Sequence, residues 1–402
     1  MTQDVLGVAM VGAGFMGAAH SQAWRVAPAF FDLPLSPVRR VVVGRRADAT
    51  EQAAQRWGWE SSSTDWRSVL ERDDVQLVDV CTPGDSHVEI AIAALEAGKH
   101  VLCEKPLANS VADAERMAEA ARSAAAQGVF AMVGFSYRRM PAIGLAKRLV
   151  EQGRLGEIRQ IRSVYLQDWL SDAEAPMTWR LEKHLAGSGA LGDIGAHAID
   201  LAQHLSGDSI ASVSGMLTTF VHERPRLAEQ RGLSGVAGTE RGQVTVDDAA
   251  LFTARFAGGP IGAFEATRFA TGRKNALRVE LSGSDGALAF DFEDPNVLQF
   301  YDARLPQETL GFQRIQATEP VHPWADAWWP VGHGLGYEHG FVNEVADLVR
   351  DIGEGRQPRP SFDDGLQVQR VLDAIERSAA AGSAWTSVDG ADTEATTGRI
   401  GA

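Results

Sequence analysis

The chain is short of several things. Only two cysteines occur among its 402 residues, Cys81 and Cys103, and both sit in apolar, strand-like runs. That is too few for a disulfide framework. One bridge is conceivable, but the pair reads better as buried thiols of a reducing compartment. Positive charge is scarce too: 38 Lys and Arg face 53 Asp and Glu, a formal net charge of −15. Such a balance argues against nucleic acid or a membrane surface as partner, since either needs a basic patch. No apolar run reaches the roughly 18 residues of a membrane span. The opening residues, MTQDVLGVAMVGAGFMG, have no basic segment ahead of a long apolar stretch and do not read as a secretory signal. A cytoplasmic location is expected. Internal repeats and extended low-complexity segments are also missing.

What is present suits a soluble enzyme. Apolar residues make up 45% and charged residues 23% of a chain too long for one compact core, so two domains are expected. The stretch VLGVAMVGAGFMGAAHSQAW is a short apolar strand, a Gly12-x-Gly14-x-x-Gly17 loop and the start of a helix. That order is the one a dinucleotide cradle requires. Gly12 allows the tight turn, Gly14 lets a pyrophosphate approach, and Gly17 lets the helix close on the sheet. Phe15 and Met16 complete the loop at the helix N-terminus, where amides and a partial positive charge face the phosphates. Strand and helix patterns then alternate: strands at 38–46, 75–83, 100–106 and 129–135, helices at 47–58, 86–98 and 110–128. The alternation predicts a parallel sheet with helices on both faces. The stretch 27–37, APAFFDLPLSP, reads as an ordered loop before the second strand.

Ligands of such sheets collect at the carboxyl ends of the strands. Thr82, Pro83, His87, Glu104, Lys105 and Tyr137 all fall at or just after such ends. After the second strand come Gly44, Arg45 and Arg46 in place of the acidic residue that would hold a ribose hydroxyl. A guanidinium there can clamp a 2′-phosphate, which tilts the NAD(P) expectation towards NADP, although Asp48 lies close by. Lys105, between Glu104 and Pro106, stands at the sheet edge where a nicotinamide should lie, and the proline swings the chain out of the sheet. Partial desolvation of its amine suits a general acid–base. The Lys105–Pro106 bond is a candidate for the cis form.

GALGDIGAHAID, residues 189–200, sets Asp193 and His197 four positions apart, on one face of a helix. They could be metal ligands or a proton-handling pair. A metal would need further ligands, and only Asp200 and His204 are near in sequence.

GAGFMG, CTPGDSH, EKPLA and GALGDIGAHAID occur in the order and spacing of the glucose–fructose oxidoreductase and inositol dehydrogenase family, which the chain resembles to about residue 380. WESSSTDWRSVL, YLQDW and GSGALGDIGAHAIDLA resemble the branch that contains levoglucosan dehydrogenase and related glycoside 3-dehydrogenases. Carried over residue by residue, the resemblance implies a catalytic constellation of Lys105, Asp193 and His197. Hydride transfer from an alcohol needs no metal when a base takes the hydroxyl proton, so none is expected. His197 would hold or deprotonate the reacting hydroxyl with Lys105 as partner or alternative base, and Asp193 would position a second hydroxyl. Gly189, Gly192 and Gly195 would let the helix lie close to the cofactor. The sequence departs from the family at Gly84, where Asn is common after the TP turn.

From about residue 135 apolar and polar residues alternate in segments separated by turn residues, which predicts a mostly antiparallel open sheet with one buried face. The fold class expected is therefore α/β Rossmann plus an α+β domain. Residues 1–134 form the dinucleotide-binding domain, 135–388 the substrate-binding and oligomerisation domain, and 389–402 a flexible tail. Helices at 340–355 and 361–382 close the fold, the second capped by Ser361 and ended at Gly382. The stretch HPWADAWWPVGHGLGYEHG concentrates Trp and His, which fits a sugar-stacking wall, a packed interface loop or a metal site of His322, His333 and His339. His333, Tyr137, Asp168, Trp169, Trp179 and Arg180 are the candidate substrate-binding residues. The open sheet face is expected to pair subunits, as a homodimer or homotetramer.

The activity these features imply is interconversion of a secondary alcohol of a sugar, glycoside or cyclitol with its ketone by hydride transfer to NAD(P). A redox-elimination glycosidase with tightly held NAD could use the same residues. A non-catalytic cofactor-binding sensor would not need Lys105 or His197.

Overall fold

A computed structural model of the chain describes residues 4–231 and 234–389. Of the tail expected at 389–402, residues 390–402 lie outside the described residues. The first sheet contains β1 (Asp4–Val11), β2 (Leu35–Val43), β3 (Ser61–Ser63), β4 (Leu77–Val80), β5 (His100–Cys103) and β6 (Ala131–Val133). These six strands run parallel in the order β3-β2-β1-β4-β5-β6. Helices α1 (Phe15–Phe30), α2 (Ala47–Trp57), α3 (Trp66–Leu70), α4 (His87–Glu96) and α5 (Val111–Ala125) connect them. All of β4 and all but the first two residues of β1 are buried, as strands covered on both faces must be. Strand order reverses between β1 and β4, which opens a crevice beyond their carboxyl ends.

One expected loop is largely helix and strand. Within 27–37, α1 runs through Pro28 to Phe30 and β2 already begins at Leu35. Ala27 and Phe31 are buried against β1 and β2 side chains, and that burial outweighs the amide Pro28 lacks. Pro37 is tolerated because β2 there pairs only with β1, β3 joining later at Val41–Val43.

The rest of the chain contributes α6 (Pro141–Glu151), β7 (Ile158–Leu166), α7 (Lys183–Ala186), α8 (Ala196–Ser206), β8 (Ile210–Thr218), β9 (Glu223–Arg231), β10 (Ser234–Gln243), β11 (Ala249–Phe256) and β12 (Ile261–Thr267). It continues with β13 (Ala276–Gly283), β14 (Gly286–Asp291), β15 (Val297–Asp302), β16 (Gln313–Gln316), α9 (Tyr337–Gly353), α10 (Phe362–Ala380) and β17 (Thr386–Ser387). Nine of these strands form an open sheet ordered β16-β15-β14-β13-β7-β12-β11-β8-β17. Its neighbours are antiparallel except β7 and β12, which run parallel. Helices α6, α8 and α10 cover one face, and β11 alternates buried and exposed residues accordingly. Met216, Leu251 and Ile261 stand exposed on strands of this sheet. β9 and β10 form a separate hairpin.

The closing helices return to the nucleotide-binding sheet. Phe341, Val342, Val345 and Val349 of α9 pack with Trp24 and Ala27 of α1, while α10 lies between α5 and β8. Ser361 caps α10 and Asp364 reaches back to complete a capping box.

Candidate active site

Each glycine of the first loop has its own reason. Gly12 has φ +123°, and a Cβ there would lie 2.6 Å from the carbonyl of Cys81. Gly17 packs directly on the carbonyl of Gly12, whereas nothing lies within 4 Å of the position a Gly14 Cβ would take. Helix α1 starts at Phe15 with no side chain capping it, so its first amides face that open space. This cradle fits a pyrophosphate. Phe15 is exposed beside it and Met16 packs inward. Past β2, Gly44 is hemmed in by Thr50, whose hydroxyl donates to the Arg46 carbonyl at 2.7 Å. Arg45 and Arg46 are exposed at the crevice rim.

Thr82 and Pro83 follow β4, with the Thr82 hydroxyl accepting from Ser86 at 2.8 Å. His87 is buried, and its ring spans the Thr82 carbonyl at 2.9 Å and the Pro106 carbonyl at 3.1 Å. Expected at the cofactor, it instead has both ring nitrogens engaged by main chain and ties the two sheet-edge turns together. Glu104 is likewise buried and fully occupied, one oxygen 3.0 Å from His20 Nε2 and the other accepting the Lys105 N–H at 3.1 Å.

The peptide between Lys105 and Pro106 is cis. The Lys105 amine leaves the sheet and donates to the Asp193 carbonyl oxygen at 2.6 Å, with an Asp193 carboxylate oxygen 3.8 Å away. The sheet edge and the GALGDIGAHAID segment thus meet.

That segment opens on a π-helical turn, Leu191–Gly195, rather than the regular helix its spacing predicts, and continues as α8. Such wide turns recur at functional sites. Asp247, just before β11, anchors the start: its carboxylate accepts from Gly189 N at 2.7 Å and Leu191 N at 2.8 Å, and its carbonyl from Ala190 N at 3.0 Å. The glycines serve this packing and not, as expected, a cofactor alone. A Cβ on Gly189 would collide with the Asp247 carbonyl, and one on Gly195 would press within 3.2 Å of Ala266.

Charge is arranged around Asp193. Burial opposes its ionisation, but Lys105, Arg180 and Arg268 hold the carboxyl below the usual carboxylate range. Arg268, completely buried, also donates to the Asp247 carbonyl at 3.2 Å. His197 is held well below its ordinary value, first by burial and then by the Lys105 charge, so its ring is neutral near pH 7. Its Nδ1 is buried without a hydrogen-bond partner among the described residues. Phe135, Tyr137 and Tyr165 wall the ring in, the Tyr137 centroid at 4.7 Å.

Three of the chain's four tyrosines gather here: Tyr137 hydrogen-bonds Tyr165 at 2.6 Å and lies 6.3 Å from Tyr337. Tyr165 donates to Asn275 at 2.7 Å, Gln167 to Asn275 at 2.8 Å, and the Trp169 indole to Gln167 at 2.9 Å. The Trp169 ring in turn lies 5.6 Å from the Arg268 guanidinium. Trp179 stacks with Arg180, whose charge reaches Asp193. Of the predicted substrate residues, Tyr137, Trp169 and Arg180 therefore border the Lys105–Asp193–His197 cluster, with Trp179 behind Arg180. Asp168 turns away to Lys274 at 2.7 Å. Tyr165, Gln167, Asn275, Tyr337 and Arg268 were not singled out from sequence, because they stand on or beside the ends of β7, β12, β13 and α9 and only the tertiary fold brings those ends together.

Residues 6–135 match the family described as "Oxidoreductase family, NAD-binding Rossmann fold", and residues 143–289 match "GFO/IDH/MocA C-terminal domain". Levoglucosan dehydrogenase of Pseudarthrobacter phenanthrenivorans is 42% identical over 391 residues, 95% of this chain and 98% of that protein. The chain belongs to the GFO/IDH/MocA oxidoreductase family. Among solved structures of the family, an oxidoreductase domain protein from Kribbella flavida superposes with TM-score 0.92 at 63% identity, covering 96% of this chain and 99% of that one. A levoglucosan dehydrogenase in complex with NADH and levoglucosan superposes with TM-score 0.90 at 41% identity, over 96% and 100% of the two chains. The chain is an NAD-binding oxidoreductase with the family's two-part architecture.

The Asn109 side chain fills the space a Gly84 Cβ would take and donates to the Leu185 carbonyl at 2.9 Å. The tryptophan-rich stretch faces elsewhere than a sugar wall would. Trp328 packs on Phe30 and His339 and donates to Asn343 at 3.0 Å, and Trp324 donates to Asp347 at 3.1 Å. These contacts half-bury the Trp324 and Trp328 indoles against α1 and α9, whereas Trp329 is exposed. His333 is exposed, its Nδ1 2.8 Å from the Pro330 carbonyl, and no contact joins it to the cluster around His197 among the described residues. His322, His333 and His339 each engage their own loop. Asp200, named as a candidate further metal ligand, is ion-paired with Arg138. Among the described residues no helix is long and apolar enough to cross a membrane.

Proposed function

We propose that the protein is a dehydrogenase that interconverts a secondary alcohol of a sugar, glycoside or cyclitol with its ketone. A bound nicotinamide would supply the hydride acceptor. Lys105 and the neutral His197 ring bracket the reacting hydroxyl and move its proton, and Asp193 holds a neighbouring hydroxyl. Arg268 and Arg180 keep Asp193 ionised, so that it accepts hydrogen bonds and does not compete for the proton. Tyr137, Trp169 and the Gln167–Asn275 pair offer a sugar both an apolar face and hydroxyl partners. The observation that carries this reading is the 2.6 Å contact from the Lys105 amine to Asp193, which joins the nucleotide sheet to the helix bearing His197. Relatives named for levoglucosan and for myo-inositol support a cyclic polyol as substrate class. Arg45 and Arg46, with no ion-pair partner among the described residues, keep the NAD site open to a 2′-phosphate. Subunit pairing, as a homodimer or homotetramer, is assigned to the open face of the nine-stranded sheet.

Levoglucosan, simple glycosides and inositols, each assayed for NADH and NADPH formation, test the reading. Oxidation of at least one is expected, with kcat lowered about 10²–10⁴-fold in Lys105→Ala. Wild-type turnover by that variant would overturn the proton-transfer assignment. Arg45→Asp is expected to weaken NADPH binding more than NADH binding, and equal weakening counts against a phosphate site.

A further inference from the structure

Beneath the glycine loop lies a buried ionic chain that the proton transfer does not use. His20, in the second turn of α1, is 1% exposed. Its Nδ1 is 3.0 Å from both oxygens of Asp79, and its Nε2 is 3.0 Å from Glu104. Asp79, inside β4, also accepts the indole N–H of Trp24 at 2.7 Å and the thiol of Cys81 at 3.4 Å. The second oxygen of Glu104 accepts the main-chain N–H of Lys105.

The chemistry of this arrangement is restrictive. An imidazole placed between two carboxylates donates to both only when both nitrogens carry protons. Taken alone, three buried charged groups cost more desolvation than an apolar trio of the same volume. His20 and Asp79 are closed to solvent, and both oxygens of the nearly buried Glu104 are engaged by His20 and the Lys105 N–H, so the chain is not arranged to pass protons to a substrate. What it does reach is geometry at two places. At one end is the helix whose first amides face the phosphate cradle, and at the other the backbone of Lys105. With both Glu104 oxygens occupied, the turn after β5 cannot swing, and the direction in which the lysine leaves the backbone is set.

We propose that the Asp79–His20–Glu104 chain is a positioning device, which ties the helix under the dinucleotide phosphates to the turn carrying Lys105 and so aims the amine at the reacting hydroxyl. This rests on the proton-transfer role given to Lys105. His20 is a positioning residue and touches no reacting atom. Displacement of a catalytic group by about 1 Å can cost as much as 100-fold in rate while leaving binding nearly intact.

Three variants test it: His20→Gln, Glu104→Gln and Lys105→Ala. Thermal unfolding, NADH affinity by fluorescence titration, kcat and KM are read for the sugar of the panel oxidised fastest. The primary isotope effect is read with that sugar deuterated at its ring carbons. Glutamine at 20 can reach one carboxylate but not both. An amide at 104 can serve the imidazole or the Lys105 N–H but not both. In each, kcat is expected to fall at least tenfold, KM and NADH affinity to stay within threefold, and the isotope effect to rise as hydride transfer becomes limiting. A merely structural role would lower the unfolding temperature and leave kcat and the isotope effect of the folded protein unchanged. That result would overturn the proposal. Glu104→Gln, nearly isosteric, decides the matter should His20→Gln fail to fold. Full activity in Lys105→Ala would defeat the underlying role instead, and the two failures are thereby distinct.

Discussion

His20 and His197 are both hidden, 1% and 7% exposed, yet the protein holds them in opposite charge states. Burial pushes both towards neutrality. At His20 the Asp79 carboxylate overrides it and the imidazole is held well above its ordinary range. At His197 no carboxylate touches the ring among the described residues, the nearby charge is the Lys105 ammonium, and the imidazole is held well below. The lesson is that depth sets the stakes and neighbours set the sign. The nucleotide side of the cleft spends a permanent charge on rigidity. The helix side keeps a neutral ring, its Nδ1 without a hydrogen-bond partner among the described residues.

The comparison breaks most visibly if the charge is removed where it is structural. His20→Leu leaves Asp79 and Glu104 buried without their cation, and a loss of about 3–5 kcal/mol in unfolding free energy is expected from urea titration at neutral pH. A loss below about 1 kcal/mol would mean that the two carboxylates do not need the imidazolium.

The asymmetry also explains what could be read from sequence. The glycine loop, the alternation of strands and helices and the Ser361 cap are local patterns, set by residues a few positions apart. Lys105 stood out because a cation at a strand end followed by proline is itself local. His20 did not, since its partners lie 59 and 84 residues away and GAAHSQAW reads as an ordinary helix. The hairpin of β9 and β10 also escaped notice. ERPRLAEQR and SGVAGTERGQ show no apolar alternation, because the pair lies apart from the nine-stranded sheet. The tryptophans near residue 328 were visible as a cluster but not as to direction. Whether an indole faces a sugar or a neighbouring helix depends on where α1 and α9 lie, and that is a tertiary fact. The π-helical turn under Asp193 is of the same kind, imposed by Asp247 from another segment.

A smaller effect sharpens the nucleotide side. Glu344 of α9 is buried with an oxygen lacking a hydrogen-bond partner among the described residues. Burial pushes its carboxyl up to about 8; His20 and Arg139 pull it down, Glu104 and Asp79 push it further up. The folded value lies above the unfolded value of about 4.3. The folded state therefore keeps a proton that the unfolded state releases, and stability falls as pH rises through this window. Glu344→Gln mimics the protonated form and removes that contribution. Urea titrations across the window should show a flatter decline in the variant, by up to about 1.4 kcal/mol per pH unit. Parallel profiles would show that Glu344 is already ionised beside His20.

The smallest expected effect belongs to the other histidine and has the opposite sign. His197 stays neutral in the folded protein, while the unfolded chain protonates it below about pH 6.5. Here the folded state holds fewer protons, so stability falls as pH drops through that value. His197→Leu replaces a ring packed by Phe135, Tyr137 and Tyr165 with a side chain of similar size and strands no partner. At neutral pH its stability should lie within about 1 kcal/mol of the parent. One pH unit below the unfolded histidine value it should gain about 1 kcal/mol relative to the parent, because the acid penalty is gone. Turnover should be lost throughout. A histidine whose removal leaves stability intact and abolishes turnover is held for the substrate, and one whose removal costs stability and slows turnover only through Lys105 is held for the geometry of the site. Unequal outcomes at the two positions are what the opposite charge states require, and equal ones would dissolve the contrast between the two walls of the cleft.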